Sequence, residues 1–240
     1  MTHSNLPETI HKPRRRHRRF FGGCALIVLL PILTAVYWFF IRDVEAKENK
    51  LQFATPVPES KVYAVSKEDS LLNFTILGKV HGTIDISGEN FTLEPTEDGQ
   101  WHVVANMQLD GQSTKTESGE FIDFVLKAGL KADEYPYGRF VARSIETFAD
   151  PTNIPEQAAQ LVGDLEISGV VNTYTLDCTV SVLDGVLTVY TTPTIDLKEF
   201  GVNFPEQIGS SEMTTEITVK AYLTENGGEA DATTPADTTN

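Results

Sequence analysis

Residues 72–87 read Leu72-Asn73-Phe74-Thr75-Ile76-Leu77-Gly78-Lys79-Val80-His81-Gly82-Thr83-Ile84-Asp85-Ile86-Ser87. The even positions hold Leu72, Phe74, Ile76, Val80, Ile84 and Ile86; the odd ones hold Asn73, Thr75, Lys79, His81, Thr83, Asp85 and Ser87. A period of two belongs to a half-buried β-strand, whose successive side chains point to opposite faces. The run is far longer than the usual strand of about 5–6 residues, so it predicts a bent strand or a tight hairpin. Gly78, Gly82 and Gly88 share the apolar parity, where a missing side chain permits a bend or leaves room.

The same alternation recurs along the chain. Trp101, Val103, Ala105, Met107 and Leu109 share one face, as do Leu161, Gly163, Leu165, Ile167 and Gly169. Tyr174, Leu176, Cys178, Val180 and Val182 follow, then the hairpin signal Asp184-Gly185, then Leu187, Val189 and Thr191. Ile217, Val219, Ala221 and Leu223 close the series, with Val62–Val65 and Phe140–Ile145 completing it. One apolar and one polar face per strand predicts a mainly β fold, an antiparallel barrel or sandwich. The helical candidate is Ser118–Ala132, where Phe121, Phe124, Val125 and Ala128 recur at intervals of three and four.

The start of the chain has a different character. Lys12, Arg14, Arg15, Arg16, Arg18 and Arg19 precede an uncharged run of 22 residues, Phe20 to Ile41. At about 1.5 Å per residue that run reaches roughly 33 Å as a helix, enough for a bilayer core of about 30 Å. It is longer than the apolar part of a cleaved signal peptide, although Val44-Glu45-Ala46 is a passable cleavage site. Basic residues before it and Tyr37-Trp38-Phe39-Phe40 at its end predict a single membrane span, N-terminus cytoplasmic and the remainder extracytoplasmic. The expected organisation is a basic tail at 1–19, the span at 20–41, a polar spacer at 42–60, a β-domain at 61–223 and a disordered tail at 224–240.

Beyond Arg42 stand 12 basic against 33 acidic residues, a net of −21. Such a surface repels phosphate backbones and excludes nucleic acid as a partner. Cys24 lies in the uncharged run and Cys178 in the domain, so they cannot pair, and Cys178 reads as a small buried hydrophobe. Motifs for zinc hydrolysis, thiol redox chemistry, nucleophilic serine or phosphate binding are missing from the sequence, and no cofactor is implied. His81 and His102 fall on the polar parity and read as solvated. The acidic pairs Glu68-Asp69, Glu97-Asp98 and Asp133-Glu134 sit in turns and read as surface, which points to a binding protein rather than an enzyme. Nothing in the sequence sets an oligomeric state.

The order of motifs adds a resemblance. Val62-Tyr63-Ala64-Val65, Leu72-x-Phe74-x-Ile76, Val80-His81-Gly82 to Gly88, Ser113-Thr114-Lys115-Thr116 and Tyr135-Pro136-x-x-x-Phe140 come in turn. Gly163-x-Leu165-x-x-x-Gly169-Val170 and Lys198-Glu199-Phe200-Gly201-Val202 complete the set. The domain, roughly Lys61 to Leu223, resembles the YceI-like family of exported lipid-binding barrels. It departs at Gly119–Phe124, where that family often carries Arg-Asp and His-Leu pairs, and at Lys198, where Arg is usual. The resemblance implies a lipocalin-like antiparallel barrel of about eight strands with one short helix, holding a polyisoprenoid or similar lipid in its lumen. Shared inward parity makes Phe74, Ile76, Val103, Met107, Phe140, Leu165, Ile167 and Leu176 the expected lining of an elongated apolar cavity. The same pattern fits a filled core, in which case the acidic surface would serve as an interaction face.

Overall fold

The computed structural model describes residues 45–204 and 209–224. The basic tail, the expected span at 20–41 and all but Thr224 of the C-terminal tail lie outside the described residues. No helix among the described residues is long and apolar enough to cross a membrane.

Among the described residues, eleven strands form one antiparallel sheet. They are β1 (Lys61–Val65), β2 (Leu71–Ile76), β3 (Val80–Ile86), β4 (Asn90–Pro95), β5 (Trp101–Thr116), β6 (Tyr137–Ser144), β7 (Ile154–Ile167), β8 (Val170–Leu183), β9 (Val186–Thr191), β10 (Thr194–Asp196) and β11 (Glu212–Leu223). One helix, α1 (Glu120–Gly129), separates β5 from β6, and a 3₁₀ turn at Leu197–Phe200 follows β10. The sheet closes on itself because β5 pairs with β6 on one edge and with β3 and β4 on the other. β11 likewise pairs with β9 on one edge and with β1 and β2 on the other.

The excess over eight strands has a simple origin. β1 and β2 are two segments of one stave, as are β3 and β4, so each level of the ring holds eight strands; β10 lies off the ring against β11. Residues 72–86 form the hairpin option: Ile76 pairs with Val80, and the turn places Leu77 and Gly78 at φ 58° and 71°. Asp184-Gly185 (φ 52° and 78°) and Ser168-Gly169 (φ 52° and 74°) are two-residue turns with both central residues left-handed. That geometry matches the twist of antiparallel strands.

The parity of the strands decides the core. Leu72, Phe74, Ile76, Phe91, Leu93, Val103, Ala105, Val180, Val182, Val189 and Val219 are all buried in one cluster. Helix α1 reaches that cluster through Leu126, 1% exposed, with Ile122 partly buried beside it. The apolar set that revealed the helix in the sequence is on its other side: Phe121 is 74% and Phe124 47% exposed.

Residues 45–60 depart from the expected spacer. They run as an arm along the outer face of the barrel. The Ala54 amide donates to Asn106 Oδ1 (2.9 Å), and Asn106 Nδ2 donates back to Ala54 O (2.9 Å). Arg139 stacks over the Phe53 ring at 4.4 Å and donates to Leu51 O at 3.0 Å. The physical cause is on the barrel: Asn106 and Glu166 occupy the outward parity yet are buried, and a buried polar group needs partners. His102 also departs from expectation, since its Nδ1 is buried with no hydrogen-bond partner among the described residues.

Cys178 faces inward from β8, 7% exposed, and its thiol donates to Ala159 O at 3.3 Å. Burial, first, and then the charges of Glu146 and Asp177 push its pKa up to about 12. The thiol therefore stays neutral in the folded protein while an unfolded chain ionises near 8.5. A thiol reagent at pH 8 should label Cys178 slowly in native protein and rapidly in denaturant. Stability should fall as pH rises from about 8.5 towards 12, because only the unfolded state releases this proton. Fast native labelling would mean that β8 is inverted.

Candidate functional site

One end of the barrel holds an apolar pocket. Its walls are Ile84 of β3, Leu109 of β5, Ile167 of β7, Leu197 and Met213, with Leu130, Ala132 and Tyr135 from the segment after α1. Gly111 and Gly138 face it without side chains. The cavity volume is about 60 Å³. A much larger groove, about 860 Å³, lies elsewhere on the surface, but its lining is mixed, with Asn73, Thr75, His81, Thr83, Lys115 and Glu216 beside Phe74 and Tyr190. Apolar ligand chains gain free energy from leaving water, so the small apolar pocket is the better candidate.

The eight residues expected from parity are all directed inward. Phe74, Ile76, Val103, Met107, Phe140, Leu165 and Leu176 are buried in the core cluster, and Ile167 packs against it. Of these, only Ile167 is among the pocket's lining residues. Gly82, expected to leave space, does not: an added Cβ would stand 2.5 Å from the Phe74 ring and 2.3 Å from Lys115 O. Ile84 and Leu109 share the inward parity but stood outside the eight, and Leu130, Ala132, Tyr135, Leu197 and Met213 are lining residues that parity alone missed. Tyr135 and Leu130 come from an irregular segment with no period to read.

That segment closes the pocket, and it is held by polar contacts. The Tyr135 ring lies on Gly169, where an added Cβ would meet it at 2.3 Å. Ser168 Oγ donates to Leu130 O at 2.7 Å. From outside, the arm fastens the same elements. The Lys47 amide donates to Glu134 O (2.7 Å), and the Lys47 ammonium pairs with the Glu134 carboxylate and lies 5.3 Å from the Tyr135 ring centroid. Asn49 Nδ2 donates to Tyr137 O (2.9 Å), and Lys50 Nζ donates to Gly169 O (2.5 Å). The hydrogen bond to Glu134 raises the pKa of Lys47, and the same bond lowers that of Glu134.

Glu166 anchors the arm. Its side chain is fully buried, with Oε1 accepting from the Lys50 amide (3.0 Å) and Oε2 from the Leu51 amide (2.9 Å). Among the described residues there is no cluster of three or more His, Cys, Asp or Glu that could hold a metal ion.

A match to the YceI-like domain spans residues 63–224. The chain belongs to the YceI-like family. This domain is similar in structure to BcnA of Burkholderia cenocepacia, at 19% identity over 65% of this chain and 99% of that one, TM-score 0.49. It is also similar to a polyisoprenoid binding domain from Saccharophagus degradans, at 12% identity over 68% of this chain and 98% of that one, TM-score 0.48. A YCEI protein of Campylobacter jejuni is similar at 16% identity over 76% of this chain and 94% of that one, TM-score 0.43. No curated protein is significantly similar to it in sequence.

Glu166→Ala removes both acceptors of the arm. Hydrogen bonds to a charged group contribute about 1.5–3 kcal/mol each, and about 1.4 kcal/mol is tenfold in an equilibrium. Trypsin should therefore cut after Lys47 or Lys50 at least about tenfold faster in this variant, with the β-sheet circular dichroism unchanged. An unaltered digestion pattern would show that the arm is held by other contacts.

Proposed function

We propose that this YceI-like chain is a membrane-anchored, extracytoplasmic carrier that buries the chain of a polyisoprenoid or similar lipid inside its barrel. The observation that carries the proposal is the apolar pocket at one end of a closed barrel of this family. Family membership supports a lipid- or isoprenoid-binding role, and the walls of the pocket are apolar. Each buried methylene contributes about 0.8 kcal/mol, so a long tail needs few polar contacts. The anchor is the run at 20–41, oriented by the basic residues before it. Binding, not covalent chemistry, is the activity proposed, and ligand, anchor and location together make a carrier that works beside its lipid source.

Size sets the condition on this function. A pocket of about 60 Å³ falls well below the roughly 300–1,000 Å³ of small-molecule sites. The pocket must therefore widen to admit a long chain, and the segment around Leu130–Tyr135, like Leu197 of the 3₁₀ turn, is a wall outside the strand ladder. The same tight packing favours a second reading, a filled-core domain that binds an envelope partner through its acidic surface.

Two experiments address the proposal. Native mass spectrometry and solvent extraction of the full chain purified from cells should reveal a retained hydrophobic ligand. Ile167→Trp, which fills the pocket, should reduce that retention while the β-sheet signal persists. If no lipid is recovered and the variant merely loses the roughly 1–3 kcal/mol expected of an overpacked core, the filled-core domain is the better account. A reporter fused after Asn240 should be active only outside the cytoplasm; cytoplasmic activity would remove the anchor's proposed orientation.

A further inference from the structure

The groove of about 860 Å³ on the outer face of the barrel has no part in the carrier, yet its volume falls within the roughly 300–1,000 Å³ of small-molecule sites. Strand register builds it. Glu216 of β11 stands opposite Asn73 of β2, Asn73 opposite Thr83 of β3, and Thr83 opposite Lys115 of β5. In the next outward row Thr214 stands opposite Thr75, and Thr75 opposite His81. Strands lie about 4.8 Å apart, so the first row spans roughly 14 Å. The relief comes from side-chain length. Asn73, Thr75 and Thr83 are short and partly buried, whereas Lys115, Glu117, Tyr190 and Glu216 are long and exposed around them.

Most of these groups are left unused by the fold. Among the described residues the side chains of Asn73, Thr83, Lys115 and Glu216 have no protein hydrogen-bond partner. Thr75 Oγ1 and His81 Nδ1 lie 2.9 Å apart, which orients the imidazole and leaves Nε2 for a ligand. Asn73 and each threonine can both donate and accept, Lys115 donates and Glu216 accepts. An apolar chain would strip water from these groups and return nothing. An anion would meet Glu117 and Glu216 beside the single Lys115. A cation finds no paired carboxylates, because Glu216 on β11 and Glu117 after β5 stand at opposite ends. A neutral ligand rich in hydroxyls satisfies the whole set. Tyr190 on β9 adds an aromatic ring, 40% exposed, whereas Phe74 is buried. A pyranose carries hydroxyls at its rim and C–H groups on its face, and such a face packs on an aromatic ring.

We propose that this groove binds a neutral oligosaccharide, with its hydroxyls bonded to Asn73, Thr75, Thr83 and His81 and one sugar ring stacked on Tyr190. The site goes beyond the carrier reading and does not rest on it. Groove and apolar pocket stand back to back across one wall of the barrel. Thr83 adjoins Ile84 and Thr214 adjoins Met213, the first of each pair lining the groove and the second the pocket. A saccharide outside competes with a lipid inside for no side chain, so both can be held at once.

The test uses the full chain in phosphatidylcholine nanodiscs, since glycoside detergents would compete. Cellotriose, chitotriose and maltotriose are titrated in turn while isotope-labelled threonine methyls are followed by NMR. At least one of them should shift the Thr75, Thr83 and Thr214 methyls saturably, with a dissociation constant on the order of 1 mM. Thr152 and Thr173, which lie outside the groove, should stay in place. Asn73→Ala should weaken that binding at least about fivefold, and Tyr190→Ala about tenfold. Tyr190→Phe keeps the ring and should bind as the parent does. Tyr222→Ala removes a similarly exposed tyrosine outside the groove and should change nothing. Circular dichroism confirms that each variant is folded. The proposal is overturned if no trisaccharide gives a saturable shift, or if glycerol at matched hydroxyl concentration or sodium phosphate gives the same shifts. A folded Tyr190→Ala with unchanged affinity overturns it too. Solvent extraction of the same preparations reports on the carrier separately: saccharide binding by a lipid-free protein keeps this site and removes the carrier, and a lipid-loaded protein without saccharide binding does the reverse.

Discussion

Closure of the sheet is the constraint on which the rest depends. β5, sixteen residues long, offers one edge to β3 and β4 and the other to β6, and β11 joins β9 to β1 and β2. A sheet closed in this way has no terminal strand, although β5 beyond Asp110, β7 before Leu161 and β8 before Cys178 have a strand partner on one edge only. It also commits each inward residue to one shared interior, since the alternation of side chains is fixed at two. Closure is non-local: Tyr63 is paired with Leu223, so the ring is incomplete until the last strand is in place. Loop closure over such a span carries an entropic cost that local turns cannot offset. The type I′ turns at Asp184-Gly185 and Ser168-Gly169 limit the problem by making the β7–β8–β9 meander locally.

What could be read in the sequence follows from this division. Strands with one wet face kept their period, and β2, β3, β8, β9 and β11 stood out for that reason. β4 was hidden because it continues the stave of β3 after the break at residues 87–89. The first half of β7 and the three-residue β10 carry too little alternation to announce themselves. Helix α1 was found in the right place through the wrong face, because Phe121 and Phe124 repeat at helical spacing whichever way the helix is turned. Periodicity reports a shared face; it does not say what that face meets.

The arm was misread for a related reason. Its composition is polar with two prolines, and its partners lie far along the chain, at Asn106, Glu134, Arg139 and Glu166. No local pattern encodes such contacts. One trace was present: Val104 interrupts the alternation of β5 and is buried on the outward parity, as a strand covered on both faces requires. For the interior, parity placed all eight chosen residues on the correct side. It could not distinguish a lining from a packed core, because that difference is a matter of ångströms between opposite walls. Phe74 over Gly82 closes one such gap, and the pocket survives where Gly111 and Gly138 have no ring placed over them.

The pocket and the arm are therefore best understood together. Most of the interior is enclosed by strands, and opening it would break rows of backbone hydrogen bonds at once. The wall from Leu130 to Tyr135 is different, being held by Ser168, by the packing of Tyr135 on Gly169 and by the Lys47–Glu134 pair. Contacts of this kind at an exposed rim are individually weak. They can yield without disturbing the ring, so this wall can part while the strand ladder stays intact. Because the arm is fastened to that wall at one end and to buried Glu166 farther along, displacement of residues 45–50 would loosen the pocket.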